Sequence, residues 1–383
     1  MSRFKAICLV LFILLFVGAC GGRRDIAEER AYRAARADGE IIIGVVERRE
    51  GPTWKAIQMA VEEINAAGGV LGRKIQVIQQ DDEYSVTKGK LVAQQFAANL
   101  DMVAVIGHGN SDVSIPASAT YEFSGLLMLS PTATAPKLTQ QGFKLVFRNI
   151  PSDEKVGSQM ADFAARQGYK RMMILSAKDA YGRGLGNIFE KWAGEVGITV
   201  VDRVSYRDGE SNFQQVLTNW KDLDFDAIFI AGRNPEAAHF IAQAREQGLT
   251  QPILGGDGLM DGNLLRIAGE AAEGTVVATY FHPDDPRPEV QQFNAAFQEK
   301  YGTLPDFGAA QGYDAVKLLA YAMEQAGSTV PVEVAETLRA MERWPGVTGP
   351  HTFSQSGDVI GKPIALNIVQ DSQFEYFLTL ENP

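Results

Sequence analysis

"VIGHGNSDVSIPASATYEFSGLLMLSPTAT", residues 105–134, decides how the chain folds. A short apolar run ends at Gly107, and small polar residues follow from His108 to Asp112. A stretch of helical length comes next, then a second apolar run, "LLMLS", closed by Pro131, Thr132, Ala133 and Thr134. Apolar runs bounded by turn residues read as strands buried on both faces, and a helix between two of them makes a parallel pair. In an open parallel sheet, ligands bind beyond the carboxyl ends of the strands. Both polar clusters therefore share one rim. Hydroxyls beside the free amides of a helix N-terminus attract anions, so Ser111 and Thr134 are candidates to hold one carboxylate. Simple helix capping by the same two residues is the competing explanation, and the two roles are compatible.

The alternation extends in both directions. "IIIGVVE" from Ile41 is a strand, and "TWKAIQMAVEEINAAGG" is a helix ending at Gly68 and Gly69. "KIQVIQQDDE", "TKGKLVAQQFAANL" and "MVAVIG" read as strand, helix and strand. "IPASATYEFSG" is a helix with Pro116 in its first turn, where proline is tolerated. The pattern restarts near Ser152 with "EKVGSQMADFAARQG", "RMMILSA", "GLGNIFEKWAGEVG" and "TVVDRVSY". It continues through "DAIFIAG" and "PILGGD" to a closing pair of β runs, "KPIALNIVQDSQFEYFLTL", with "DSQ" as the turn. These are βαβ units in two α/β lobes. Periodicity does not assign the helices of the C-terminal third to either lobe.

Residues just after the second-lobe strands are the matching candidates. Arg233 follows "DAIFIAG", Tyr181 lies in the loop after "RMMILSA", and Asp257 stands between Gly256 and Gly258 after "PILGGD". A lone acid at such a position suits an ammonium group. Capping of the following helix explains Asp257 equally well, and sealing of a loop explains Tyr181.

Composition narrows the function. The 383 residues carry a formal charge of −11 with no basic tract, which argues against a nucleic-acid partner. The only cysteines are Cys8 and Cys20, and the four histidines show no metal-ligand spacing, so neither a cysteine nucleophile nor a metal site is expected. No cofactor fingerprint, Walker A motif or GxSxG elbow is present, and a binding protein fits better than an enzyme. Residues 1–19 read as a signal peptide: Arg3 and Lys5, an apolar run from Ala6 to Val17, then Gly18 and Ala19. The following stretch, 20–40, is charged and poor in large apolar residues, and reads as a tether or a loosely attached helix.

Two resemblances sharpen this reading. The small residues before Cys20 resemble a bacterial lipobox, which implies a lipid on Cys20 and a membrane anchor. The phrases "EINAAGGVLGRKIQVIQQDDE", "VIGHGNSDVSIPASATYEFSGLLMLSPTATAPKLTQQGFKLVFRN", "KDAYGRGLG", "AREQGLTQPILGGDGLMDGNLLRIAGEAAEGTVVAT" and "AAQGYDAVKLLAYAME" run in order through the chain. Together they resemble the type I periplasmic substrate-binding proteins of ABC transporters, leucine/isoleucine/valine-binding branch. The resemblance implies two Rossmann-like lobes with parallel-sheet cores, joined by three hinge crossovers. Lobe 1 would comprise 41–150 plus 281–352, and lobe 2 would comprise 151–280 plus 353–383. It implies an amino-acid ligand, branched-chain or otherwise aliphatic, delivered to ABC permease subunits. Ser111 and Thr134 would hold the ligand carboxylate, the Thr132 carbonyl and Asp257 the ammonium. Tyr181 would cover the ligand, and Gly109 and Asn110 would line the side-chain pocket.

The sequence departs from the family pattern in three places. The loop "ERREGPTW" is short, Tyr84 and Asn110 stand where some members join two cysteines, and Arg233 replaces a common aromatic residue. An unpaired guanidinium in a closed cleft is costly, so Arg233 is expected to pair with Glu47 or Glu50 on the short loop and close the lobes. Pairing with a polar ligand side chain is the competing role. A sensory receptor domain for small amides or amino acids is the alternative function.

Overall fold

The computed structural model describes residues 24–380. Strands β1 (Ile41–Val46), β2 (Ile75–Gln80), β3 (Met102–Ile106), β4 (Leu127–Ser130) and β5 (Val146–Arg148) form a parallel sheet in the order β2-β1-β3-β4-β5. The second sheet repeats that winding. Strands β6 (Arg171–Ala177), β7 (Thr199–Tyr206), β8 (Ala227–Ala231), β9 (Ile253–Gly255) and β10 (Val276–Thr279) run parallel as β10-β9-β8-β6-β7. An antiparallel hairpin, β14 (Ile364–Gln370) and β15 (Gln373–Leu380), adds to its β10 edge. Asp371 and Ser372 make the hairpin turn with φ of 50° and 60°, the twist that a two-residue turn requires.

Alternate side chains of each strand enter opposite cores, as the two-residue period dictates. Ile41, Ile43 and Val45 pack under α2 (Pro52–Ala66), α11 (Phe307–Ala326) and α12 (Pro331–Ala340). Val46 packs on the other face with α3 (Val86–Ala98) and α4 (Ser111–Phe123). In the second lobe, Met172 and Ile174 pack with α5 (Asp153–Arg166) and α6 (Ala180–Glu195). Met173 and Leu175 pack with α7 (Gln214–Lys221) and α8 (Glu236–Glu246). Helix α10 (Pro288–Tyr301) joins α11 on the first lobe through Phe293 and Phe297.

Core membership locates the crossovers. Ile150 already packs in the second lobe, the chain returns between Tyr280 and Phe281, and it leaves again before Ile364. The last crossing lies later than the 352/353 boundary expected from the family. A hairpin of β12 (Gly349–Phe353) and β13 (Val359–Ile360), extended by β11 (Trp344–Gly346), keeps Phe353 and Val359 in the first core. Phe353 meets Phe147 edge-on, with ring centroids 5.4 Å apart.

Buried Lys362 ties two crossovers together. Its Nζ donates to the Asn149 carbonyl at 2.9 Å and to Thr348 Oγ1 at 2.5 Å, and lies 2.8 Å from His351 Nε2. Thr348 Oγ1 passes its own proton toward Asp314 Oδ2 at 2.5 Å. Desolvation pushes the ammonium down to about 7, with Asp314 opposing the shift, while burial and Lys362 hold His351 well below its usual range. Neutral His351 thus offers Nε2 as an acceptor.

Two sequence expectations change. Pro116 is the sixth residue of α4, not a first-turn residue, because Asn110 starts the helix earlier by accepting from Val113 N. The segment before β1 is not a loose tether. Helix α1 (Ile26–Ala34), opened by an Asp25–Glu28 capping box, docks on the first lobe. Its Arg30 is fully buried and donates to four carbonyls: Ser124 at 2.9 Å, Asn99 at 2.7 Å, Met102 at 2.5 Å and Ala97 at 2.6 Å. Composition hides this docking because the anchor is one guanidinium rather than an apolar face. Residues 1–23, with the signal peptide and Cys20, lie outside the described residues. The C-terminal helices α10 to α12, which periodicity left unassigned, all cover the first lobe.

Burial lowers the Arg30 guanidinium to about 10, so it remains charged at neutral pH. Removing it takes the Arg30 donor from all four carbonyls, of which Asn99 keeps the Met102 amide. Arg30→Met should destabilise the protein by about 2–4 kcal/mol, read as a lowered urea midpoint; an unchanged midpoint would mean that α1 contributes nothing.

Candidate functional site: the interlobe cleft

The repeated winding brings the carboxyl ends of both sheets to one cleft, at the reversal points between β1 and β3 and between β6 and β8. On the first rim, His108 turns inward and is fully buried. Its Nδ1 lies 2.6 Å from Asp82 Oδ2 and its Nε2 2.9 Å from Tyr121 Oη. With the histidine fixed below, the next four residues, Gly109 to Asp112, form the lip. Asn110 caps α4 at 3.0 Å through Val113 N, so the amides of Ser111 and Asp112 point out of the first turn. Ser111 is buried and accepts from Ala135 N at 3.2 Å, which leaves its hydroxyl proton to donate.

The second cluster folds against the first. Thr132 Oγ1 donates to the Gly109 carbonyl at 3.2 Å, and the Thr134 carbonyl accepts from Asp153 N at 2.9 Å. Thr134 caps no helix: α5 starts from Ser152. The capping explanation therefore passes to Asn110 and leaves both hydroxyl residues on the rim. Gly109 is required by proximity, since a Cβ there would lie 2.4 Å from Tyr84 Cε1. The Arg48 guanidinium stacks over the far face of Tyr84, 4.3 Å from its centroid.

On the second rim, Tyr181 lies in the first turn of α6 and is 1% exposed. Its hydroxyl donates to Asp257 Oδ1 at 3.0 Å and accepts from Gly258 N at 3.0 Å. Gly256 gives this hydroxyl room, because a Cβ would approach it to 2.6 Å. Asp257 does not cap α9 (Gly262–Ala268); Asp261 does, through Asn263 N. Its carboxylate is thus held by a phenol at the rim.

Arg233 lies beside this group, but not in the expected partnership. It pairs with Asp179 of its own lobe and stacks over Tyr181, 4.3 Å from the ring centroid. Among the described residues it makes no ion pair with Glu47 or Glu50, so the closing role through the first loop is not what the fold uses. Asp179 is nearer because it caps α6 directly below the guanidinium, accepting from Gly182 N at 2.6 Å. Glu47 lies apart, its carboxyl pushed up to about 7 by burial and by Asp82 and Asp81, against its contact with the Arg48 amide.

Sequence reading missed three residues. Asp112 reaches across the cleft, and both of its carboxylate oxygens lie 3.1 Å from Ala180 N at the start of α6. A carboxylate at a helix N-terminus is favoured electrostatically, so this contact links the two lobes. Tyr280, just past β10, is buried with its hydroxyl beside the Asp257 carboxylate. Asp153 is fully buried, and neither carboxylate oxygen has a hydrogen-bond partner. Its position as the first residue of α5 suggested only a helix start. Desolvation raises it to about 8, and the charge of Asp257 adds to the shift. Asp257 is raised as well by burial, with Tyr181 and Arg233 opposing.

The first rim therefore offers hydroxyl and amide donors, and the second joins it with two acids under electrostatic strain. Donors on one rim and acids on the other are complementary in charge to a small zwitterion. In the empty protein, the proton-bound form of Asp153 stabilises the fold fully below about pH 4, and that stabilisation is lost as pH rises toward 8. Asp153→Asn should therefore raise the stability of the ligand-free protein by about 1–3 kcal/mol at pH 8 and give little gain at pH 4. Urea unfolding at the two pH values checks this; equal gains at both would mean that the acid is not the source.

A family model described as periplasmic binding protein matches residues 41–371. A Leu/Ile/Val-binding protein homologue of Brucella suis is 33% identical over 309 residues, covering 79% of this chain and 81% of the relative. A leucine-, isoleucine-, valine-, threonine- and alanine-binding protein of Pseudomonas aeruginosa is 32% identical, covering 79% and 80%. The crystal structure of an ABC transporter substrate-binding protein of Desulfitobacterium hafniense in complex with leucine is 40% identical. It covers 88% of this chain and 100% of that one, with a TM-score of 0.80. With two repeated parallel-sheet lobes meeting at a cleft of this chemistry, the chain belongs to the periplasmic binding protein family.

Proposed function

We propose that the protein is the extracytoplasmic substrate-binding component of an ABC transporter for amino acids, branched-chain or otherwise aliphatic, and that it hands its ligand to permease subunits. The observation that carries this reading is the buried acid pair beside hydroxyl donors: both Asp153 oxygens lack a partner, Asp257 is held by a neutral phenol, and Asp153 N donates to the Thr134 carbonyl. Buried carboxylates are stable only when paired. A ligand ammonium between them supplies the missing charge, and its own carboxylate, a short distance away, meets Ser111, Thr134 and the first turn of α4. Thr132 contributes its carbonyl to the ammonium, Tyr181 covers the ligand, and Gly109 and Asn110 border its side chain. The leucine complex of the Desulfitobacterium hafniense relative supports an aliphatic ligand.

In this reading residues 1–19 are a signal peptide and Cys20 carries a lipid. Only residues 21–25 then separate the lipid from docked α1. Among the described residues no helix is long and apolar enough to cross a membrane.

Two tests follow from the two halves of the proposal. Calorimetry against the common amino acids should find saturable binding for leucine, isoleucine or valine, and Asp257→Asn should weaken it by roughly 2–5 kcal/mol without unfolding the protein. An unchanged Kd removes Asp257 from the site. For the anchor, Cys20→Ser should move the protein from the membrane pellet to the soluble exported fraction. Persistent pelleting after a salt wash would show that another element anchors it.

A further inference from the structure

The second rim contains a device that ligand binding alone does not explain. Three loops interlock around Tyr181. A Cβ on Gly258 would lie 2.4 Å from the Gly232 carbonyl oxygen and 3.0 Å from both Arg233 Cγ and Tyr181 Cε1. A Cβ on Gly256 would strike Leu185 of α6 at 2.5 Å. Arg233 closes this cluster from the cleft side. Its guanidinium covers the Tyr181 ring and pairs with Asp179, the residue that caps the helix carrying Tyr181. The first turn of α6 is thus gripped at its cap and at its aromatic side chain by one cation.

Charge gives that grip a second consequence. The groups acting on the Asp257 carboxylate are the Tyr181 phenol from α6, the Tyr280 phenol after β10, Asp153 from the start of α5 and Arg233 after β8. The two phenols are neutral, and Asp153 carries like charge when ionised. Arg233 is positive and acts on both acids, whereas Arg148 acts on Asp153. We propose that Arg233 is a positioning residue for ligand capture: it fixes Tyr181 against Asp257 and sets a permanent positive charge beside that acid, so that Asp257 is aimed before the ligand arrives. This rests on the amino-acid reading above for its ligand, but not for its effect on the acid. It also accounts for a cation where the family pattern has an aromatic side chain, because the ring stack is kept by the guanidinium and the charge is added.

The test separates charge from packing. Arg233→Met keeps length and contact with the Tyr181 ring but removes the charge; Arg233→Lys keeps the charge with less stacking. Carboxyl carbon NMR of the ligand-free protein should show Asp257 titrating at least about one pH unit higher in Arg233→Met, with Arg233→Lys close to wild type. Removing the cation favours the protonated, non-binding acid, so the penalty must grow as pH falls. Leucine affinity by calorimetry should be nearly equal to wild type at pH 9 in Arg233→Met and fall increasingly below it as pH is lowered, the loss reaching about 10-fold per pH unit of the Asp257 titration shift. A loss of affinity that is the same at every pH, or an unshifted Asp257 titration, overturns the proposal. If wild type binds no leucine, the amino-acid reading fails while the carboxyl titration still decides the role of Arg233. Should Arg233→Met not fold, Arg233→Gln carries the same two readouts.

Discussion

Two carboxylates in one water-poor volume set the terms for the whole cleft. Asp153 is fully buried with both oxygens unpartnered, and Asp257 is 7% exposed and within its field. Neither can be ionised there at low cost without a positive partner. Ligand-free, the cleft compensates in part, through the proton on Asp153, the Tyr181 phenol and the Arg233 guanidinium. On the proposed amino-acid reading, an α-ammonium group between the two acids would supply the positive partner that both require.

The scaffold answers by bringing short polar segments to the ends of rigid strands. The two five-stranded windings are copies of one order, so each contributes the loops that flank its reversal point. Glycines let those loops touch. Gly109 admits the Tyr84 ring, and Gly256 and Gly258 admit Tyr181. Across the cleft, the Asp112 carboxylate meets the N-terminus of α6, the helix that carries Tyr181. The opposite lobe thus contacts the helix on which Tyr181 stands.

The regions away from the cleft are held by buried cations of a different kind. Arg30 saturates four carbonyls at the base of the first sheet, and Lys362 links the crossover at Asn149 to the one that it occupies itself. In both cases the long side chain spans a gap between elements distant in sequence, 94 residues from Arg30 to Ser124 and 213 from Lys362 to Asn149. Polar anchoring of this sort fixes one geometry, since directional donors have few equivalent arrangements.

The alternation of apolar runs and helical periods was enough to determine two parallel α/β lobes, because buried strands and amphipathic helices write their periods directly into the chain. It also placed Ser111, Thr134 and Asp257 on rims, since polarity at a strand's carboxyl end is a local feature. Which of them cap helices was decided by tertiary structure: Asn110, Ser152 and Asp261 take those places and leave the candidates free. The partner of Arg233 was also beyond the sequence. Asp179, Glu47 and Glu50 are equivalent as acids, and only the packing of α6 puts the first of them in reach. Asp153 looked like any acid opening a helix, and α1 like a charged tether. Their roles come from burial, a property of neighbours distant in the chain, and burial is what turns an ordinary carboxyl or guanidinium into a group that the fold must satisfy.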